Sequence, residues 1–199
     1  MFIVNRTIAW LEAERVAGRI PNESTALAHL EADWAERGPV HDFAPYYLTA
    51  ARNMVSCMVD VVVSETGTYD EEDWIVDLRG KQIRLKPDRV LIAPNGTVLV
   101  QRVRTGRKSK SEASNRLYAL LRRGATARHP GRAVSIETLY LATRESVAVS
   151  ARDDEKSLDE YSGAIAGIET GLFKAKPKDA RACPTCQCYF HCDFVNGIS

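Results

Sequence analysis

Four of the chain's five cysteines fall within ten residues, in the run Cys183-Pro-Thr-Cys186-Gln-Cys188-Tyr-Phe-His191-Cys192. Thiolates bind iron and zinc tightly, and where the surroundings keep thiols reduced such a cluster suits a soft metal or an iron–sulfur cluster better than disulfides. Either Cys188 or His191 could complete a tetrahedral zinc site with Cys183, Cys186 and Cys192, although ligands so close in sequence are sterically cramped. The competing reading is a reduced, redox-labile tail. Cys57 lies in an apolar stretch and reads as a buried structural thiol.

Charge is the second signal. The formal net charge is only +1, yet residues 1–80 carry −8 and residues 81–199 carry +9. The basic excess is densest from Arg102 to Arg132, where Arg102, Arg104, Arg107, Lys108, Lys110, Arg116, Arg122, Arg123, Arg128 and Arg132 face a single acid, Glu112. Such a block either binds anions or is a solvated face balanced by the acidic half across the fold. His29, His41 and His129 are scattered, and the chain has no Gly-rich phosphate loop, Ser–His–Asp order or nucleotide fingerprint.

A length of 199 residues fits one compact domain with a possible appendage, and 45% hydrophobic with 27% charged residues excludes a disordered or collagenous chain. The uncharged apolar stretch Asn53–Val59 is far short of the roughly 20 residues of a membrane span, and the N-terminus lacks a basic leader and a cleavage site. The expectation is a soluble cytoplasmic protein with no membrane partner.

Helical spacing of apolar residues predicts a helix over Thr7–Val16, a second capped by Ser24 or Thr25 and ending before Gly38, and a third opened by Pro45 and running through Arg52. After Gly67 the texture becomes strand-like. Trp74, Val76 and Leu78 alternate with charges, Arg79-Gly80 makes a turn, and Ile83 and Leu85 alternate again. Val90–Ile92, a turn at Ala93–Gly96 and Val98–Val103 give two more strands, the last of them central. A helix over Ser111–Arg123, a buried strand over Ile136–Ala142 and a long helix over Ser157–Gly171 complete the pattern. The fold class expected is α/β: a mixed central β-sheet flanked by helices, with residues 1–66 as a helical N-terminal part, 67–172 as the α/β core and 173–199 as a Cys-rich tail.

Several stretches together resemble the PD-(D/E)XK nuclease superfamily, in particular the RecB-like and AddB-like domains that end helicase–nuclease proteins. Asp77–Val90, containing Pro87-Asp88-Arg89, is similar to the hairpin that leads into the family's first metal-binding aspartate. Val98-Leu-Val-Gln-Arg102-Val-Arg104-Thr105-Gly106 resembles the strand that normally reads D-x-K-T-G, Tyr118 the tyrosine of the Q-x-x-x-Y helix, and Ile168–Pro177 with Cys183, Cys186 and Cys192 the final helix and the last three ligands of a four-iron four-sulfur cluster. The resemblance implies a restriction-endonuclease-like fold, DNA as partner and a role in DNA repair or recombination beside a helicase domain or subunit. It also implies a 4Fe–4S cluster held by Cys183, Cys186 and Cys192, with zinc as the alternative metal. The family's first cluster cysteine lies upstream of the core, and Cys188 is the candidate to replace it.

The departures bear on chemistry. In an active member two carboxylates hold a divalent metal and a lysine steadies the attacking water. Asp88 fits the first carboxylate, but the second falls on Arg102, the lysine on Arg104, the helix glutamine on Ser114 and the upstream histidine near Asn5. A guanidinium in place of a carboxylate beside a divalent ion costs several kcal/mol at an effective dielectric of about 20. Magnesium is therefore not expected. The expectation is a DNA-binding, catalytically inactive nuclease-like domain with Arg102, Arg104, Arg107, Lys108, Lys110 and Tyr118 facing DNA. Two alternatives stand beside it: an active metal-dependent DNA exonuclease using Asp88 with a migrated Glu112, and a structural protein-interaction module.

Overall fold

The computed structural model describes residues 2–19, 21–108 and 115–171. It divides into two units, Met1–Glu155 and Lys156–Ser199. The first holds three helices, α1 (Phe2–Val16), α2 (Glu23–Arg37) and α3 (Ala44–Ser64), followed by seven strands and a fourth helix. The strands are β1 (Thr68–Tyr69), β2 (Trp74–Leu78), β3 (Lys81–Leu85), β4 (Arg89–Ile92), β5 (Val98–Arg104), β6 (Val134–Tyr140) and β7 (Glu145–Ala148), with α4 (Leu117–Arg128) between β5 and β6. A fifth helix, α5 (Asp154–Thr170), begins in the first unit and supplies the described part of the second. No helix of the described residues is long and apolar enough to cross a membrane.

Five strands form one mixed sheet in the order β1-β4-β5-β6-β7, so β5 is central as the apolar run predicts. Its neighbours differ in direction: β4 is antiparallel and β6 parallel, α4 making the crossover that a parallel pair requires. One face of the sheet carries the α1–α3 bundle, whose core of Leu11, Leu30, Val55 and Met58 extends to Leu139 and Leu141. The other face carries α4. Beyond α4 lies the separate β2–β3 hairpin, whose inner residues Trp74, Val76 and Leu78 are buried.

Local physics sets each element's limits, and several differ from the sequence expectation. The first helix starts at Phe2, because Ile3 and Val4 continue the buried stripe of Ile8 and Leu11. Asn22, not Ser24 or Thr25, caps α2: its Oδ1 accepts from the Thr25 amide at 2.9 Å. α3 runs on past Arg52 to Ser64, since the apolar stretch there buries Met54, Val55, Met58 and Val62 on one helical face. Residues 111–114 of the expected helix lie outside the described residues, and α4 runs from Leu117 through Gly124 to Arg128. A helix-weakening glycine is kept there by packing. A Cβ at Gly124 would stand 2.7 Å from Trp74 Cε3 and 3.0 Å from Val76 Cγ2, so only glycine lets the hairpin seat on the helix.

Candidate functional site

The candidate site forms where β4 and β5 begin and end. Arg89 pairs with Gln101 across the two strands, so the next register position sets Asp88 opposite Arg102. Asp88 is tied there, its Oδ2 accepting from the Val103 amide at 3.0 Å. Arg102 lies on the face that α4 covers, whereas Asp88, one residue before β4, lines a cavity with Glu12 of α1 and Arg89. Arg102 lies over the Tyr118 ring of α4, 5.4 Å from its centroid, and is largely buried. Tyr118 is buried in turn, and its hydroxyl shares a short hydrogen bond with Thr138, the β6 residue paired with Arg102. Three elements thus hold the Arg102 guanidinium by a cation–π contact and position it beside the Asp88 strand end.

Two residues further on, β5 ends in a cleft of about 340 Å³ lined by Asn5 of α1, Arg104, Thr105, Gly106, Arg107 and Tyr140. Arg104 is half-buried, whereas Arg107 and Lys108 are exposed. The cleft therefore gathers Arg104 and Asn5, which the resemblance relates to the lysine and the upstream histidine, with Arg107, expected to face DNA. Arg102 and Tyr118 form the packed layer behind it. Lys110, Glu112, Ser114 and all four clustered cysteines, Cys183, Cys186, Cys188 and Cys192, lie outside the described residues. Cys57 is buried, and burial pushes its thiol pKa up, as expected of a structural thiol.

A divalent metal of the kind the superfamily uses needs several oxygen donors around one point. Among the described residues no group of three Asp, Glu, His or Cys side chains could hold a metal ion. Asp88 shares its cavity with Glu12 and Arg89, and the Arg102 and Arg104 guanidinium groups on the adjoining strand only donate. The described residues do not fit the ion.

On the opposite face of the same strand pair lies a polar centre that sequence reasoning missed. Arg89 is buried beneath α1, where its Nε meets Glu12 at 2.8 Å and its Nη1 and Nη2 reach the two Glu65 oxygens at 3.1 and 2.6 Å. Nη2 also donates to the Tyr69 hydroxyl at 3.0 Å, and Nη1 donates to Gln101 through a short bond. One cation thus serves two carboxylates. Burial pushes the Glu12 carboxyl up to about 7; Arg89 opposes that shift, while Asp88 and Glu65 add to it. Burial also raises the Tyr69 hydroxyl to about 12, helped by its hydrogen bond to Glu65. Burial disfavours the charged Arg89, yet its bond to Glu65 and the two carboxylate charges outweigh that and hold its pKa above the ordinary value. The signal in the sequence was an arginine and a glutamine placed inside otherwise apolar strands, with Glu12 beside Leu11 on the buried side of α1.

The comparisons with known proteins agree with this geometry at the level of family. The family model described as the PD-(D/E)XK nuclease superfamily matches residues 5–193. No curated protein matches the chain significantly.

Proposed function

We propose, on the premise that this chain belongs to the PD-(D/E)XK nuclease superfamily, that it binds DNA without cleaving it and guides or clamps DNA beside a helicase domain or subunit in repair or recombination. The observation that carries the reading is Arg102, stacked on Tyr118 at the strand position opposite Asp88. A fixed positive charge there repels the divalent ion that cleavage needs and attracts the phosphodiester that cleavage would act on. Arg104 and Arg107 in the adjoining cleft extend the same field, with planar donors that match phosphate oxygens. In this reading Cys183, Cys186 and Cys192, with Cys188 in the fourth position, bind a 4Fe–4S cluster that staples the tail. An exposed aromatic patch of Phe2, Phe43, Tyr46 and Tyr47 supports a protein partner such as the helicase, because contiguous exposed apolar surface marks interaction sites.

Binding of labelled duplex measured across salt concentrations tests the first half of the proposal. The expected log–log slope is near −0.9 per phosphate neutralised, or about −4.5 for roughly five contacts, and Arg104→Glu with Arg107→Glu weakens binding for every sequence tried. Incubation with magnesium or manganese tests the second half, and linear duplex and single strands are expected to stay intact. Cleavage that disappears in both Asp88→Ala and Glu112→Ala would establish the exonuclease with a migrated carboxylate instead. Absent or salt-insensitive binding would leave the protein-interaction module.

A further inference from the structure

The first turn of α1, the end of α2 and the first half of α3 enclose a mostly apolar groove of about 490 Å³. Its floor is a stripe of α3 in which Tyr47, Ala50, Ala51 and Met54 recur at the spacing of one helical face. Tyr47 and Met54 stand two helical turns apart, about 10 Å along the axis. The two alanines between them leave a channel, walled by Phe2, Trp34 and Pro39. Phe2 and Tyr47 are exposed, so the channel opens to solvent between aromatic rings.

The polar groups along this channel are donors. Trp34 offers only an indole N–H and Arg37 only guanidinium N–H groups. His41 Nδ1 accepts from the Phe43 amide at 3.1 Å, so the neutral ring carries its hydrogen on Nε2. The same ring meets Tyr47 edge-on at 5.5 Å, which holds the tyrosine in place. Neither the Trp34 indole N–H nor the Tyr47 hydroxyl has a hydrogen-bond partner among the described residues. Gly38 keeps the indole edge uncovered, since a Cβ there would stand 2.8 Å from both Trp34 Cδ1 and Nε1. Arg37 Nη2 meets Glu36 at 3.0 Å and Nη1 stands 3.8 Å from Asp33, so its charge is already shared with two acids.

A ligand that complements this channel is apolar, uncharged and rich in unpaired acceptors. A helix fails the last condition, because its carbonyls are bonded internally except in the final turn, and a nucleic acid fails the second. A proline-rich segment meets all three: in the polyproline II conformation no backbone group is bonded internally, and proline has no N–H to satisfy. One turn of that conformation rises about 9 Å, close to the spacing of Tyr47 and Met54. We propose that the channel binds a proline-rich segment of a partner protein, its rings packed on Phe2, Trp34 and Tyr47 and its carbonyls accepting from the Trp34 indole and the Tyr47 hydroxyl. The proposal rests on the reading of the aromatic patch as a protein-binding surface and gives that partner its chemistry.

The test is titration of decaproline into the protein, followed by tryptophan fluorescence. Saturable binding is expected, and none of a glycine–serine peptide of equal length. Tyr47→Phe removes one donor and is expected to weaken binding about fivefold. Tyr47→Ala is expected to abolish it, and both variants to keep the wild-type melting temperature and DNA affinity, because Tyr47 is exposed and lies outside the basic cleft. Absent binding of decaproline, or equal binding by Tyr47→Ala, would overturn the proposal. A leucine-rich amphipathic helix bound in place of decaproline would overturn it and leave the protein-partner reading standing; if neither peptide binds, both readings fall. Loss of DNA affinity in Tyr47→Ala would assign the patch to nucleic acid instead.

Discussion

Replacing Glu12 with glutamine tests whether the buried Arg89 centre works as described. In the folded protein the Glu12 carboxyl titrates at about 7, against an ordinary value of 4.5, chiefly because it is buried. The folded state therefore holds this proton more tightly than the unfolded chain does between those values. By linkage, its contribution to stability is fully present below about pH 4.5 and is lost as the pH rises toward 7. Worked from these two values, the loss between about pH 5 and pH 7.5 is about 2 kcal/mol. Glutamine keeps the shape and a carbonyl acceptor for Arg89 but has no proton to lose. Urea melts at the two pH values should show the wild type losing about 2 kcal/mol more than Glu12→Gln, a difference of roughly 4–8 °C in melting temperature. The reasoning is refuted if the two proteins show the same pH dependence, since Glu12 would then titrate alike in both states.

Gly124→Ala should unseat the hairpin, because its methyl would sit 2.7 Å from Trp74 Cε3; a loss of about 1–3 kcal/mol is expected, with increased exposure of Trp74 read by fluorescence. In the tail, Cys186→Ser should release bound metal and lower the melting temperature, and an unchanged metal content would dismiss the cluster. Arg102→Asp combined with Arg104→Lys restores the carboxylate and lysine of an active member beside Asp88, so calorimetry should detect manganese binding in that variant and none in the wild type.

Much of the framework was legible because it follows local rules. Trp74, Val76 and Leu78 alternate with polar residues and end at Arg79-Gly80, and the hairpin pairs in that register. The run Val98–Val100 is apolar on both faces, as a central strand with helices on each side must be. What was missed depends on partners distant in sequence. β1 is two residues long and exists through its pairing with β4, and β7 exists as an edge against β6; neither has a pattern of its own. Arg89 was not singled out, because its partners Glu12 and Glu65 arrive from α1 and from the end of α3, far away in sequence. Gly124 appeared to end a helix, since the tryptophan that requires its missing side chain lies on another element.

The two readings of the basic block can now be separated residue by residue. Balance by acids is the correct account of its later part: Arg122 bonds Asp154 at 2.7 Å and the Val149 carbonyl, and Arg128 bonds Asp70 and Glu72. The acidic N-terminal half is likewise engaged internally, Asp33 by Arg6, Glu31 by Arg52, and Glu12 and Glu65 by Arg89. Those acids are thus committed to neighbours at other places in the fold. The earlier part of the block is placed differently: among the described residues, Arg104 and Arg107 line a cleft with Asn5, Val103, Thr105, Gly106 and Tyr140. The pairs of the later part are partly buried, Asp70 and Asp154 both lying largely out of solvent, so they tie α4 to its neighbours. The same strand pair carries two buried arginines held in different ways. Arg89 closes one face by engaging the acids that reach it, and Arg102 packs into the other over the Tyr118 ring of α4.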